Sequence, residues 1–294
     1  MTKLKLSTLL GNYPNAQALK TGAVKSDLVE FDFADVKVPN TAFKALVREA
    51  KFDLAELAIV TFLQAKTYGK PYVLIPATVL GRGQHHTIAY NPERGALQTS
   101  ALAGKRVGVR AYTVTTGAWV RGFLADDYGV DPAAIRWVSF EDPHLAEYKD
   151  PEFVTRAPAG KTIVQMLLDG ELDAAIVGDT MPDPRLKPLI PDAEAAARQW
   201  ALKHGGVPIN HMMVVRNSIA KERPDVVQET YRLLRESRNA ASPPPGGPLD
   251  PWRFGVEADR RALEIIIDYS VRQKLIPRAF AVDELFDDTT RALA

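Results

Sequence analysis

The chain has 294 residues, of which 46% are hydrophobic and 25% are charged, and its formal net charge at pH 7 is +1. The length allows two domains, the composition is that of an ordinary globular protein, and the charge gives no electrostatic argument for a nucleic acid or an anionic membrane as partner. The lack of cysteine excludes disulfides, thiolate nucleophiles and cysteine-based metal sites. No stretch has the roughly 18 apolar residues that a membrane-spanning helix needs.

The first part of the chain alternates between strand-like and helix-like segments. Alternating or clustered apolar residues predict strands at residues 3–10, 28–33, 52–58, 72–77 and 87–91. Helices are predicted to begin near residue 16 and after residue 41, and to cover 61–67. The N-terminus alternates polar and apolar residues as a strand does and lacks the long apolar core of a secretion signal, which predicts a cytoplasmic protein.

One predicted strand carries a carboxylate among apolar neighbours. Glu56 lies within Phe52-Asp53-Leu54-Ala55-Glu56-Leu57-Ala58. A carboxylate in that position is either a solvated residue of an edge strand or a site residue held in a cleft. The sequence alone leaves both interpretations open.

The stretch from Lys105 to Val138 carries the strongest local pattern. A β-rich piece at 106–110 is followed by a polar loop at 111–116 and by a helix whose apolar face includes Trp119 and Phe123. Thr115 or Thr116 is predicted to cap that helix, whose first amides and dipole favour an anion. Two arginines, Arg110 and Arg121, flank the segment. The alternative is an ordinary capped surface unit with solvated arginines.

The remaining elements continue the alternation and then become helical. Helices are predicted at 162–168 and 193–203, strands at 172–177 and 212–216, and long amphipathic helices at 224–238 and 258–274. The two long helices are joined by the proline-rich loop 242–248, which cannot be helical. The apolar residues 263–267 suit either a core or a dimer contact, so a homo-oligomer stays open.

The alternation of strands and helices favours an α/β architecture with largely parallel sheets. We expect one lobe from residues 1–88 together with 207–294, and a second lobe from 89–206. Two chain crossings between lobes would form a hinge with a cleft. Ligands of open α/β sheets bind beyond the carboxyl ends of the strands, so the loop at 111–116 is expected to face the cleft.

Several segments resemble a known family. They are LAGKRVGVRAYTVTTGAWVRGFLADDYGVDP from Leu102, FDLAELAIVTFL around Glu56, GRGQHHTIAYN around His85, GELDAAIV around Asp173 and GGVPINHMMVVR around His211. In this order, over most of the chain, they are similar to the 4,5-dihydroxyphthalate decarboxylase family. The resemblance implies a two-lobed type II periplasmic-binding-protein fold with C-terminal helices, and a cytoplasmic enzyme that acts on a small organic acid, with neither nucleic acid nor membrane as partner.

The resemblance also points to a set of cleft residues. They are Glu56, Arg82, His85, Arg110, Tyr112, Thr115, Thr116, Trp119 and His211. The chain departs from the family pattern at Gln84-His85-His86, where an Arg-His pair is expected. We therefore expect an aromatic dicarboxylate or a related acid, and do not narrow the substrate to 4,5-dihydroxyphthalate itself.

Loss of CO₂ from an electron-rich aromatic acid needs a held anion and a proton donor, but in principle no metal or organic cofactor. Arginine pairs bidentately with carboxylates, which assigns this task to Arg110 and Arg82. Histidine exchanges a proton near neutrality, which makes His85 or His211 the proton donor. Glu56 would orient a histidine or accept a hydroxyl proton.

The aromatic residues and the other histidines receive weaker assignments. Trp119 or Tyr112 would stack on the substrate ring, although the position of Trp119 on an apolar helix face favours the core. His86 is equally well explained as a solvated loop residue. His144 and His204 are predicted at the surface without a role.

Three alternatives compete with the decarboxylase. The first is a solute-binding protein that captures a small organic anion in the same cleft without chemistry, and the second is an enzyme of this fold with another reaction. The third is a metal site formed by His85, His86, His211 and Glu56, which no helical His-x-x-x-His spacing supports. Serine-based hydrolysis finds no Gly-x-Ser-x-Gly motif.

Overall fold

The structure, a computed structural model, describes residues 3–241 and 249–294. The strands are β1 Leu4–Leu9, β2 Val29–Phe33, β3 Leu54–Ala58, β4 Tyr72–Gly81, β5 Ile88–Tyr90, β6 Arg106–Val109, β7 Arg136–Ser139, β8 Val154–Arg156, β9 Ala174–Ile176, β10 Lys187–Pro188 and β11 Ile209–Arg216. The helices are α1 Gln17–Lys20, α2 Phe43–Glu49, α3 Ile59–Thr67, α4 Thr115–Asp126, α5 Ile163–Leu168, α6 Ala193–His204, α7 Asn217–Glu222, α8 Pro224–Ala240, α9 Val256–Arg272 and α10 Asp288–Arg291. The predicted proline-rich loop at 242–248 lies outside the described residues.

The strands form two separate sheets. The first has the order β2-β1-β3-β11-β4, and the second has the order β10-β5-β9-β6-β7-β8. In the first sheet β3 is parallel to β1, whereas β11 runs antiparallel to both β3 and β4. In the second, β6 is parallel to β7 and β9, and β5 is antiparallel to β9. Both sheets are therefore mixed. The expected parallel pairing holds for β2-β1-β3 and for β9-β6-β7-β8, whereas β11 is an antiparallel strand in the interior of the first sheet.

Strand β3 shows why the first sheet is organised as it is. All five of its residues are buried, because β1 and β11 flank it and helices cover it. Glu56 is opposite Met213 of β11 in the register, and the next pair of the same face joins Ala58 to His211. Residues two apart on a strand share a face, so the side chains of Glu56 and His211 are diagonal neighbours.

The strand membership of the two sheets suggests how the chain divides. The first sheet takes its strands from residues 4–81 and 209–216, and the second takes its strands from 88–188. We propose that these sheets mark the two lobes expected from the sequence, 1–88 with 207–294, and 89–206.

A buried ion pair holds the returning chain against the first sheet. Arg253 donates to the carbonyl oxygens of Gly205 at 3.1 Å and Val207 at 3.2 Å, and its Nε lies 3.2 Å from Asp259. Asp259 is fully buried in α9 and also accepts the Thr78 hydroxyl of β4 at 2.7 Å. The segment that enters β11 is thereby tied to both α9 and β4.

The long C-terminal helices pack onto the body of the protein. Leu263, Ile266 and Tyr269 of α9 are buried, and Tyr269 contacts Trp119 of α4 at a ring distance of 5.7 Å. The apolar cluster around Leu263 therefore belongs to the protein's own core, which decides between the two interpretations left open by the sequence. Among the described residues no helix combines the length and the apolar character needed to span a bilayer.

Helix α4 can approach α9 closely because residue 122 is glycine. A Cβ at Gly122 would overlap the ring of Tyr269. We predict that Gly122→Ala destabilises the fold by about 1–3 kcal/mol, the usual cost of overpacking. The higher helix propensity of alanine would, by itself, raise the unfolding free energy by about 1 kcal/mol. Chemical denaturation measures the sign, and an unfolding free energy that is equal or higher in the variant would contradict this account of the helix contact.

Candidate functional site

A cavity of about 680 Å³ lies between the two sheets. Its walls form where strands end: Ala58 closes β3, Arg110 follows β6, Phe140 follows β7 and Ile176 closes β9. This is the position in which open α/β sheets bind ligands. The residues on its lining that carry polar or charged side chains are Tyr13, Asn40, Thr61, Arg82, Arg110, Thr115, Thr116, Glu141, His144, Lys161, Thr162, Asp179, Asn210 and His211.

A buried carboxylate supports one wall of the cavity. Glu56 is completely buried, and its Oε1 accepts the amide of Gly11 at 2.6 Å. Its Oε2 accepts the Tyr13 hydroxyl at 2.9 Å and lies 2.8 Å from Nδ1 of His211. Burial and the charge of Glu56 raise the pKa of Tyr13, which keeps that phenol protonated as a donor. A buried carboxylate needs such partners, because without them desolvation of the charge would be very costly.

The pair fixes the orientation of the histidine ring. Because a carboxylate only accepts hydrogen bonds, Nδ1 of His211 carries the hydrogen and Nε2 is the nitrogen left to meet a bound molecule. The His211 ring also packs edge-on against Phe43 at a centroid distance of 5.2 Å. His211 lines the cavity, so the pair can deliver a proton to a ligand there.

Two arginines reach the cavity from opposite walls. Arg82 directly follows β4 of the first sheet and forms an ion pair with Asp179, which lies after β9 of the second. Arg110 follows β6, and its Nη1 lies 3.0 Å from Glu141. Within the described residues, Nε of Arg82 is buried without a hydrogen-bond partner. In this structure each guanidinium group is paired with a carboxylate of the protein itself. A ligand carboxylate would take the place of that partner.

The start of α4 differs from the prediction. Val114 is the N-cap and no side chain caps the helix, so neither Thr115 nor Thr116 has the expected role. The Thr115 hydroxyl instead accepts the amide of Val60 at 3.2 Å, in the first turn of α3. Thr115 and Thr116 line the cavity, so the first turns of α3 and α4 meet beside it. The amides at both helix starts favour an anion there.

Arg121 does not flank the anion position. Its side chain is fully buried and stacks on the ring of Tyr112, with the guanidinium carbon 3.9 Å from the centroid. It donates to Gln273 and to the carbonyl oxygen of Tyr112, both at 2.7 Å. Neither interpretation of Arg121 from the sequence holds, as a residue that flanks an anion or as a solvated arginine, because Gln273 and the carbonyl oxygen of Tyr112 bind its guanidinium group in the core.

Both predicted stacking residues lie in the core. Trp119 is fully buried, donates from Nε1 to the carbonyl oxygen of Ile209 at 2.8 Å and packs against Trp200. Tyr112 is 1% exposed and packs against Trp137. Neither side chain lines the cavity, which corrects their assignment to substrate binding. The burial of Trp119 agrees with the alternative prediction, made from its position on the apolar face of the helix, that this residue belongs to the core.

His85 lies behind the wall, contrary to its assignment as a proton donor. It is 2% exposed and stacks on Phe123 with ring centroids 4.2 Å apart. Burial lowers the pKa of His85 to about 4, so its imidazole is neutral near pH 7. The neighbouring His86 is not part of the cavity lining, and its Nε2 is 3.0 Å from Oδ1 of Asp179, which is.

His144 is a site residue that the sequence did not reveal. It was predicted at the surface, yet it is 6% exposed and lines the cavity, and its Nδ1 shares a 2.8 Å hydrogen bond with the Thr61 hydroxyl. The loop after β7 has no periodicity from which this burial could be read. His204 is half-buried against Trp200, with a ring distance of 4.5 Å.

The histidines and acids do not assemble into a metal-binding group in the part of the chain that the structure describes. No set of three or more His, Asp or Glu residues there lies close enough to share an ion. His85 packs against Phe123, His86 contacts Asp179 and His211 contacts Glu56. The histidines of the metal site considered from the sequence therefore have three different sets of neighbours.

The buried position of His85 leads to a pH-dependent stability. Its pKa falls from 6.5 to about 4 on folding, so between these values the unfolded state binds more protons and unfolding becomes easier as the pH falls. The variant His85→Phe keeps an aromatic ring against Phe123 but cannot be protonated. We predict that it abolishes up to about 3 kcal/mol of the unfolding free energy that the wild type loses between pH 7 and pH 4. Denaturation curves at pH 7 and pH 4 provide the measurement. Equal pH slopes for the wild type and the variant would contradict the assignment.

Comparison with solved structures shows the fold. The alkanesulfonate-binding protein SsuA of Xanthomonas axonopodis pv. citri, determined with bound MOPS, matches at a TM-score of 0.60 and 12% identity over 98% of this chain and 99% of that one. The aliphatic sulphonate-binding protein SsuA of Escherichia coli gives 0.59 and 11% over 97% and 98%. The desulfurization enzyme DSZB gives 0.56 and 13% over 97% of both chains. The chain has the two-lobed type II periplasmic-binding-protein fold, as the resemblance implied.

Sequence comparison shows the family. No protein-family model matches the chain. A protein of Comamonas testosteroni is 34% identical over 255 residues, covering 82% of this chain and 77% of the relative, and one of Pseudomonas putida is 32% identical over 214 residues, covering 68% and 82%. Both relatives are named 4,5-dihydroxyphthalate decarboxylase. The resemblance is thereby confirmed, and the chain belongs to the 4,5-dihydroxyphthalate decarboxylase family of carboxy-lyases.

Proposed function

We propose that the protein decarboxylates an aromatic dicarboxylate of the 4,5-dihydroxyphthalate type, or a related acid, in the cavity between its sheets. The observation that carries this proposal is the pair of Glu56 and His211. It combines a buried carboxylate, an oriented imidazole at a 2.8 Å contact and an adjoining cavity of about 680 Å³. The names of the curated relatives support the choice of reaction and of substrate class.

Arg82 and Arg110 would hold the carboxylates of the acid. They approach the cavity from different sheets, which suits a ligand that carries more than one anionic group. Their present partners, Asp179 and Glu141, would be exchanged for substrate carboxylates, which a guanidinium group can bind in a planar, bidentate geometry. Thr115, Thr116 and the amides at the start of α4 would bind the remaining oxygen atoms.

His211 would supply the proton. A ring hydroxyl para to the carboxylate donates electron density to the carbon that carries it, and this carbon takes the proton from Nε2 of the imidazolium. The bond to the carboxylate carbon then breaks, its electron pair restores the aromatic ring, and CO₂ leaves. For 4,5-dihydroxyphthalate the product is 3,4-dihydroxybenzoate, with one proton consumed. The Glu56 carboxylate stabilises the imidazolium and keeps its orientation, and water restores the proton.

The deciding experiment measures CO₂ and product together. Purified protein is incubated with 4,5-dihydroxyphthalate and with a panel of mono- and dicarboxylic aromatic acids, with and without EDTA. We expect stoichiometric CO₂ and the monocarboxylate from at least one dihydroxy acid, and equal rates after EDTA treatment, because the proposed step uses only side chains of the chain. Tight binding without turnover across the panel would favour a solute-binding protein, and loss of turnover in EDTA would point to a metal.

The roles of the pair are tested by two substitutions that remove the proton donor or the charge. Removing a general acid typically costs about 10²–10⁴-fold in rate, so His211→Gln is expected to lower kcat by that order and to leave KM within a few-fold. Glu56→Gln should lower kcat by less, because the imidazole remains but loses its charged partner. His204→Gln, at a histidine that is not part of the cavity lining, serves as the matched control. Wild-type kcat in His211→Gln would refute the proton-donor role.

The cytoplasmic location expected from the sequence stays a prediction. Fractionation of cells that produce the protein from its own gene, followed by immunoblotting of each fraction, measures it directly.

A further inference from the structure

His144 is held in place on the cavity wall from two directions. Its Nδ1 is 2.8 Å from the Thr61 hydroxyl in the first turn of α3. Its backbone is held by Arg48 of α2, which donates from Nε to the carbonyl oxygen of His144 and from Nη2 to that of Pro143, both at 2.8 Å. A ring with this many constraints has one orientation, which is what recognition of a ligand group requires.

The charge state of His144 limits what it can bind. Burial lowers the pKa of His144 to about 3, and the nearby charges of Arg110, Lys44 and Arg48 add to that effect. The imidazole is therefore neutral near pH 7, and cannot hold a carboxylate as an arginine does. With Nδ1 engaged by Thr61, Nε2 is the nitrogen left for a ligand, as donor or acceptor according to the tautomer. A hydroxyl group matches both cases, because it donates and accepts.

The position of His144 relative to His211 agrees with the geometry of a hydroxylated acid. His144 follows β7 of the second sheet and His211 belongs to β11 of the first, and both rings pack edge-on against Phe43, at 5.6 Å and 5.2 Å. In a 4,5-dihydroxy acid, the carbon that is protonated and the hydroxyl that activates it lie at opposite ends of the ring. Groups on two different walls can therefore meet these two positions at once.

We infer that His144 is the residue that binds a ring hydroxyl of the acid, with Thr61 as the positioning residue for its imidazole. The inference rests on the proposed function for the identity of the acid. A hydrogen bond with the neutral imidazole of His144 would then select hydroxylated over unsubstituted aromatic dicarboxylates. The carboxylates of the acid would be bound by Arg82 and Arg110. When Nε2 accepts the hydrogen bond of the hydroxyl, the hydroxyl oxygen becomes more electron-rich and releases electron density into the ring, which assists protonation of the para carbon and loss of CO₂.

The test compares the binding of 4,5-dihydroxyphthalate with that of phthalate by calorimetry, with every protein carrying His211→Gln so that the dihydroxy acid is bound without turnover. We expect the protein with His144 intact to prefer the dihydroxy acid by at least about tenfold, the usual size of a buried hydrogen bond that an analogue cannot form. His144→Leu should bring this ratio close to one by weakening the dihydroxy acid alone, whereas His144→Asn keeps part of it. Thr61→Val should reduce the ratio, and Thr61→Ser, which retains the hydroxyl, should restore it. His204→Leu is the control for loss of a histidine outside the cavity.

The outcomes separate this inference from the proposed function. An unchanged ratio in a folded His144→Leu variant, or equal loss of both acids, overturns the inference even if the wild type releases CO₂. A ratio that collapses in His144→Leu while the wild type releases no CO₂ sustains the inference and rejects the decarboxylase. Thermal melting of each variant verifies folding, and if His144→Leu does not fold, the Thr61→Val and Thr61→Ser pair decides the question.

Discussion

The buried carboxylate of Glu56 is the constraint on which the candidate site depends. An ionised side chain in the middle of a sheet is tolerated only when its oxygen atoms are hydrogen-bonded. Here the amide of Gly11, the hydroxyl of Tyr13 and the ring of His211 meet this need. The loop after β1, the centre of β3 and the start of β11 are consequently brought to one point. Loss of one partner would leave the charge unsatisfied, so the site and the local fold are stabilised by the same contacts.

The returning strand β11 makes this arrangement possible. It enters the first sheet antiparallel, between β3 and β4, after the chain has built the second sheet. Residues separated by more than 150 positions along the chain, such as Glu56 and His211, thereby become diagonal neighbours. The ion pair of Arg253 with Asp259 holds the segment that leads into the strand. The geometry of the proposed acid group is therefore set by sheet topology, with support from the C-terminal helices.

The charges that face the cavity are arranged in pairs of opposite sign. Arg82 with Asp179 and Arg110 with Glu141 satisfy each other, so the cavity has little net charge despite its arginines. A dicarboxylate must compete with these internal carboxylates, which favours ligands that can meet both arginines at once. Arg82 follows a strand of the first sheet and Asp179 follows a strand of the second, so their ion pair also joins the two walls. Ligand capture and the contact between walls therefore use the same guanidinium.

Much of the architecture follows from the sequence by itself. Short-range periodicity decides where β1, β3, β6 and α4 form, because each depends on neighbours within a few positions. The family resemblance placed Glu56, Arg82, Arg110 and His211 together, and the structure brings these side chains to one cavity or directly behind it. It also named His85, Tyr112 and Trp119, which are buried away from the lining. A sequence motif identifies a segment near the site, but it does not say which side chains of that segment face the cavity and which face the core.

What only the tertiary structure decided is which side chains face the cavity and which face the core. Arg121 is polar in sequence yet completely buried, because Tyr112, Trp137 and Gln273 converge on it from distant segments. His144 follows a strand in an irregular loop, and contacts with α2 and α3 of the other wall hold it in its buried position. Local patterns report propensity and amphipathicity, whereas burial and hydrogen bonding at these positions depend on residues far away in the chain. The sequence thus determined the fold and the family, and the packing of the two sheets determined the chemistry of each side chain.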